Sequence, residues 1–150
     1  MKRKFTLIVV AMATCIAAGA QQKLTTFILL RHAEKVSDGS KDPDLTEQGK
    51  RRAENLVALC KNTPLQAIYA TSFPRNGWSI GESEIAVREY EAFKPEPIDK
   101  ILSDFEVLIC GHSNNIPWIA NYLTGDEKFK IFDDNDYDNL LMVTVAERGK

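Results

Sequence analysis

Two short apolar runs, Leu24–Leu30 and Val107–Cys110, restrict the fold of this chain more than any other feature, because neither alternates with polar residues beyond Thr25 and Thr26. A strand with one wet face alternates, so a run apolar on both sides has to be covered on both. The covering elements can be read between them. Thr46 is placed to cap a helix running to about Cys60, with Ala53, Leu56, Val57 and Cys60 at core spacing. Leu65–Ala70 reads as a second strand, Thr71–Arg75 as a loop stopped by Pro74, and Ala86–Tyr90 as a third strand. Pro97 opens a helix whose Ile98, Ile101, Leu102 and Phe105 fall at i, i+3, i+4 and i+7. The run ending at Cys110 is the fourth strand. A helix from about Asn115 to Leu123, closed by Gly125, and a last strand over Leu140–Val145 complete the chain. Strands separated by helices of this length imply βαβ units. The expected fold is a single α/β domain, a three-layer sandwich with a mostly parallel central sheet.

Length agrees, since 150 residues suit one core rather than two. The first twenty do not belong to it. Lys2, Arg3 and Lys4 precede an apolar run from Phe5 to Ala18, and Ala18-Gly19-Ala20 supplies small residues, which is the layout of a secretory signal. Cleavage after Ala20 would leave a domain over 21–150, exported to a periplasmic or extracellular space, with no stable membrane insertion. Loss of those three positive charges takes the formal charge from −2 to −5. No basic stripe exists to neutralise phosphates along a polymer, which argues against nucleic-acid binding. Cys60 and Cys110 remain, and their places at a helix end and inside an apolar strand favour buried thiols over a bridge.

In parallel sheets functional groups gather beyond the carboxyl ends of the strands. Three exits stand out. The first strand runs into Arg31-His32-Ala33-Glu34-Lys35, the second into Thr71-Ser72-Phe73-Pro74-Arg75, and the fourth into Gly111-His112-Ser113-Asn114. The chain has only two histidines, and both fall at these exits. Arginine forks match phosphate oxygens, and a helix N-terminus after His112 adds backbone donors. The set suits a phosphoryl group.

These residues also resemble a known family. Phe27-Ile28-Leu29-Leu30-Arg31-His32-Ala33-Glu34 is similar to the opening motif of the histidine phosphatase superfamily, also called phosphoglycerate-mutase-like. Asp44-Leu45-Thr46 with Gly49 and Ala53 resembles its Leu-Thr-x-x-Gly-x-x-x-Ala helix start. Ile68-Tyr69-Ala70-Thr71-Ser72 with Arg75 resembles its second-arginine loop, and Val107–Ser113 its second histidine motif. The likeness spans roughly residues 24–145. It implies a metal-independent phosphomonoester hydrolase without cofactor. His32 would be the nucleophile that forms a phosphohistidine, and Arg31, Arg75 and His112 would hold the phosphoryl oxygens. The substrate would be a phosphorylated small molecule or phosphoprotein.

The chain departs from the family pattern after Arg75. Asn76-Gly77-Trp78-Ser79-Ile80-Gly81 stands where the family continues Thr-x-x-Thr into a helix, and 11 residues separate Arg75 from Val87. This departure supports an alternative, a non-catalytic phosphate-ligand or partner-binding module on the same fold. A phosphoglycerate mutase is a weaker alternative. The resemblance also implies a Glu or Asp general acid from the segment after the third strand, which points to Glu91, with Glu89 and Glu34 as rivals. Ser113 and Asn114 read as helix caps. Asp133, Asp134, Asp136 and Asp138 lack the spacing of a calcium loop and read as a solvated turn. Nearby Phe129, Phe132 and Tyr137 either cover the pocket or finish the core.

Overall fold

A computed structural model describes residues 24–40, 43–71, 85–102 and 106–146. Five strands form one sheet in the order β3-β2-β4-β1-β5: β1 (Thr25–Arg31), β2 (Ala67–Thr71), β3 (Val87–Tyr90), β4 (Glu106–Gly111) and β5 (Leu140–Val145). The first four run parallel to their neighbours, and β5 pairs antiparallel with β1. Three helices accompany them: α1 (Glu47–Cys60), α2 (Pro95–Ile101) and α3 (Asn115–Thr124). Helix α2 begins two residues before the expected Pro97, because Pro95 supplies the fixed φ of a first turn. It stops at Ile101 with Leu102 as its cap; Phe105 lies outside the described residues.

The unbroken apolar runs are explained by helices on both faces. Phe27, Leu29, Val107 and Ile109 point to one side, where they meet Ile98 and Ile101 of α2 and Ile116, Ile119, Ala120 and Leu123 of α3. Ile28, Ile68, Ala70, Leu108 and Cys110 point to the other, against Leu56 and Cys60 of α1. Each fully buried aliphatic side chain contributes about 1.5–3 kcal/mol of transfer free energy, so the central strands hold the sheet. Strand β3 lies at the edge, and its Val87, Arg88 and Glu89 are exposed. Both thiols are free and buried, and burial raises the pKa of each. Among the described residues no helix is long and apolar enough to cross a membrane. Residues 1–20, the expected signal, are outside the described residues.

Candidate active site

The sheet order brings the three strand exits side by side. Arg31 of β1 pairs with Gly111 of β4, and Ala70 of β2 pairs with Cys110, so Thr71 follows at the same level. The main chain continues this lateral bonding past the strands, since the His32 amide donates to the Gly111 carbonyl at 2.9 Å. The two imidazoles then meet edge to face, with ring centroids 5.2 Å apart and planes inclined by 74°.

Each ring is oriented by a different device. His32 Nδ1 lies 2.8 Å from the Ala33 carbonyl oxygen. A carbonyl only accepts, so Nδ1 carries the proton and the lone pair sits on Nε2. Burial is the main cause that lowers the His32 pKa to about 4; the Ala33 bond opposes it, and the charges of His112, Arg31 and Lys35 add to it. The ring is thus neutral at pH 7 and presents a nucleophilic nitrogen. His112 Nε2 lies 3.1 Å from the Thr71 hydroxyl, and burial with the charges of Lys35 and Arg31 lowers its pKa as well.

The His112 backbone is held from beneath. Asn115, fully buried, accepts the His112 amide on Oδ1 at 2.7 Å and donates from Nδ2 to the Tyr90 hydroxyl at 3.3 Å. The Ile116 amide donates to the His112 carbonyl at 3.2 Å, so helical bonding starts at the histidine itself. Only glycine fits at 111 in this arrangement. A Cβ there would lie 2.8 Å from the Tyr90 hydroxyl and 3.0 Å from Asn115 Cγ. The expected caps behave differently: Asn114 is the N-cap by position but makes no side-chain cap bond. Neither Asn115 nor Tyr90 was legible as a site-building residue, because both read as ordinary helix and strand positions.

Arg31 is 7% exposed, and its guanidinium is shared. Nη1 donates to the carbonyls of Asp133, Asp134 and Asp136 at 2.9, 3.0 and 3.2 Å. The Tyr137 ring covers the guanidinium, 4.1 Å from Cζ to the ring centroid, and lies 6.0 Å from the His32 ring. Arg31 Nε is buried with no hydrogen-bond partner among the described residues. The acidic stretch is thus an exposed turn, as expected, but its carbonyls brace the arginine. Phe129 and Phe132 pack onto the α3 side of the core. Tyr137 instead faces the candidate site.

Glu34 is engaged elsewhere. Arg52 of α1 binds it through two bonds, Nε to Oε2 at 2.9 Å and Nη2 to Oε1 at 2.6 Å, and also pairs with Asp138. The Arg52 bonds hold the Glu34 carboxyl below its usual pKa, so it stays ionised. Thr46 and Gly49 explain the helix-start motif physically. The Thr46 amide donates to the Glu34 carbonyl at 2.9 Å, and its hydroxyl accepts the Gly49 amide at 3.0 Å. The helix therefore abuts the loop that carries His32.

The structure brings together Arg31, His32 and His112. It does not bring Glu91 or Glu89 to them. Both are exposed on or just beyond the edge strand, three strands from β1 and so about 14 Å across the sheet. Glu91 is ion-paired with Lys94. Arg75 and Trp78 lie outside the described residues.

A sequence model of the histidine phosphatase superfamily (branch 1) matches residues 27–77, which hold Arg31, His32 and the Thr46–Gly49 helix start. Over that stretch the sequence is similar to the histidine phosphatase superfamily. No curated protein matches the chain. Among solved structures, phosphoglycerate mutase from Bacillus anthracis superposes with a TM-score of 0.62 at 15% identity, covering 85% of this chain and 90% of that one. A candidate phosphohistidine phosphatase SixA from Nakamurella multipartitia gives 0.57 at 18%, covering 82% and 86%. The protein histidine phosphatase SixA complexed with tungstate gives 0.57 at 12%, covering 73% and 83%. At these identities the likeness shows the fold alone.

Proposed function

We propose that the protein hydrolyses phosphomonoesters through a phosphohistidine at His32. The observation that carries this reading is the neutral His32 ring, with its proton fixed on Nδ1 by Ala33 and its Nε2 lone pair at a cationic strand edge. In the first step Nε2 attacks phosphorus and the bond to the leaving oxygen breaks, that oxygen keeping the electron pair. The Nδ1–H bond to the Ala33 carbonyl stabilises the positive charge that the ring gains. Water then attacks phosphorus, the N–P bond breaks, and inorganic phosphate leaves a neutral imidazole. The Arg31 guanidinium supplies positive charge beside the phosphoryl oxygens and His112 a neighbouring imidazole, with Arg75 as a second arginine by sequence position.

Among the described residues, none of the glutamates expected as general acid is placed to protonate a leaving group. Glu34 is held ionised by Arg52, and Glu91 pairs with Lys94 at the far edge. This supports substrates whose leaving groups depart readily, aryl phosphates rather than alkyl ones. The SixA-like neighbours, phosphatases of phosphohistidine by description, are consistent with that preference.

His32→Ala is expected to abolish aryl phosphate hydrolysis, while EDTA leaves the wild type active. A labelled phosphomonoester should leave an acid-labile phosphoryl adduct on the wild type and none on the variant. A non-catalytic phosphate-binding module would form no adduct, and full activity in His32→Ala would exclude the mechanism.

A further inference from the structure

Arg31 has few donors left for a bound anion. Nη1 is occupied by the carbonyls of Asp133, Asp134 and Asp136, the Tyr137 ring covers the guanidinium, and Nε is buried. Lys35 is in the opposite condition. It is exposed, lies on the loop that carries His32, and makes no ion pair among the described residues, whereas Lys50, Lys94 and Lys128 each hold a carboxylate. Its main chain is fixed all the same. Lys35 pairs with Leu45 as an antiparallel bridge, flanked by the Val36 amide donating to the Asp44 carbonyl at 2.8 Å and the Thr46 amide donating to the Glu34 carbonyl at 2.9 Å. Neighbouring side chains of an extended segment project to opposite sides. Glu34 is turned to Arg52 of α1, so Lys35 projects away from that pair. There its charge bears on both imidazoles, and on His112 it outweighs the charge of Arg31. Solvent screens an exposed charge more than a buried one, so the stronger effect of Lys35 means the shorter distance to His112.

We propose that Lys35 is a further substrate-holding residue, whose ammonium donates to the phosphoryl oxygens beside the imidazole pair. The inference rests on the phosphatase reading and adds a residue to it. A phosphoryl group in transfer spreads its charge over three equatorial oxygens. The Nδ1–H of His32 is occupied by the Ala33 carbonyl, and Arg31 is fixed by the 133–136 turn, so neither follows those oxygens as they move. Lys35 has a flexible four-carbon stem and three rotatable donors, and does. Its bond to a phosphoryl oxygen is charge-assisted on both sides, which places it among the stronger hydrogen bonds. The bridge to Leu45 confines where the ammonium reaches, and the missing carboxylate partner leaves it available.

Lys35→Met and Lys35→Arg provide the test, with Lys128→Met as a control that removes one charge beyond the C-terminal end of α3. Calorimetric binding of inorganic phosphate should weaken roughly tenfold or more in Lys35→Met, stay within about threefold of the wild type in Lys35→Arg, and hold its wild-type value in Lys128→Met. The kcat/KM for an aryl phosphate should fall in parallel with the binding. NMR titration reads the placement independently of any ligand: loss of the Lys35 charge should raise the His112 midpoint, and Lys35→Arg should restore it. Wild-type phosphate affinity in Lys35→Met, a loss equalled by Lys128→Met, or an unmoved His112 midpoint overturns the proposal. Lys35→Gln takes the place of the methionine variant if that one does not fold. Phosphate binding needs no turnover, so it decides the role of Lys35 even where the wild type hydrolyses no aryl phosphate, a result that refutes the phosphatase reading instead. A wild type that binds no phosphate refutes both.

Discussion

Gly49→Ala puts two opposing effects in competition at one position. Gly49 is buried within helix α1, and alanine in a helix interior is normally favoured over glycine by about 1 kcal/mol. Here the added Cβ would lie closer than 3.0 Å to the Glu34 carbonyl oxygen and 3.1 Å from the Glu34 carbonyl carbon and nitrogen. Backbone rather than a yielding side chain stands in the way. Either helix or loop has to move by roughly 1 Å to restore an ordinary carbon–oxygen separation. Overpacking of this kind costs about 1–3 kcal/mol, enough to outweigh the gain in helix propensity. Set against the gain of about 1 kcal/mol, the net expectation is a destabilisation of up to about 2 kcal/mol in urea unfolding. The displaced residue is two positions from His32, and a shift of about 1 Å in a reacting group can cost on the order of 100-fold in rate. Aryl phosphate kcat/KM should therefore fall at least tenfold even in protein that remains folded. An alanine variant as stable as the wild type, with unchanged kcat/KM, would refute the claim that this glycine serves the close approach of helix and loop.

Other substitutions and conditions probe the remaining parts. Because burial depresses both histidine pKa values, the folded chain takes up protons less readily than the unfolded one. Stability is then complete above the ordinary value of 6.5 and declines as pH falls toward the folded pKa, about 4 for His32. With two histidines in the sequence, NMR titration can follow each ring, and a His32 midpoint between 6 and 7 would contradict the buried neutral imidazole. Asn115→Leu leaves the His112 amide unpaired and removes a donor from Tyr90; it should cost about 2–3 kcal/mol in denaturant unfolding and lower kcat, while an unchanged midpoint would show that the network is dispensable. Arg52→Gln releases Glu34, so its carboxyl pKa should rise toward the ordinary value; carboxyl NMR showing no rise would discount the pairing. Tyr137→Leu removes the ring face over Arg31, a contact worth about 0.5–2 kcal/mol, and should weaken binding of inorganic phosphate several-fold, whereas Tyr137→Phe should not.

The layered α/β fold was legible because strands covered on both faces leave an unmistakable pattern. Leu24–Leu30 and Val107–Cys110 could be placed only at the sheet centre, and they lie there as β1 and β4. Element ends were less legible. The expected helix through Phe105 ends at Ile101 with Leu102 as its cap, Leu102 still packing on the core, and Phe105 lies outside the described residues. The site was legible where chemistry is written in rare residues at strand exits, as with Arg31, His32 and His112. It was not where a common residue acts through geometry. Thr71 meets His112, Asn115 holds its backbone, and Arg52 occupies Glu34, yet each is an unremarkable letter in its own segment.

The carboxylates show why sequence distance misleads most for acid groups. Glu91 was favoured for its position after the third strand, but that strand is the sheet edge, so its exit is the farthest from β1 on that side. Glu34 is adjacent to the histidine motif in sequence, yet a neighbouring arginine converts it from a proton donor into a brace. The Arg52 pairs connect three segments at once, the His32 loop, helix α1 and the 133–138 turn, and Arg31 connects that turn back to β1. Charge around the two histidines is thus spent on holding loops in place. On the proposed phosphatase reading, such a site would favour a substrate that brings its own good leaving group over one that needs a proton delivered. The steepness of the rate with leaving-group acidity, measured across a series of substituted aryl phosphates, should therefore be high in the wild type. Glu91→Gln should leave that steepness unchanged.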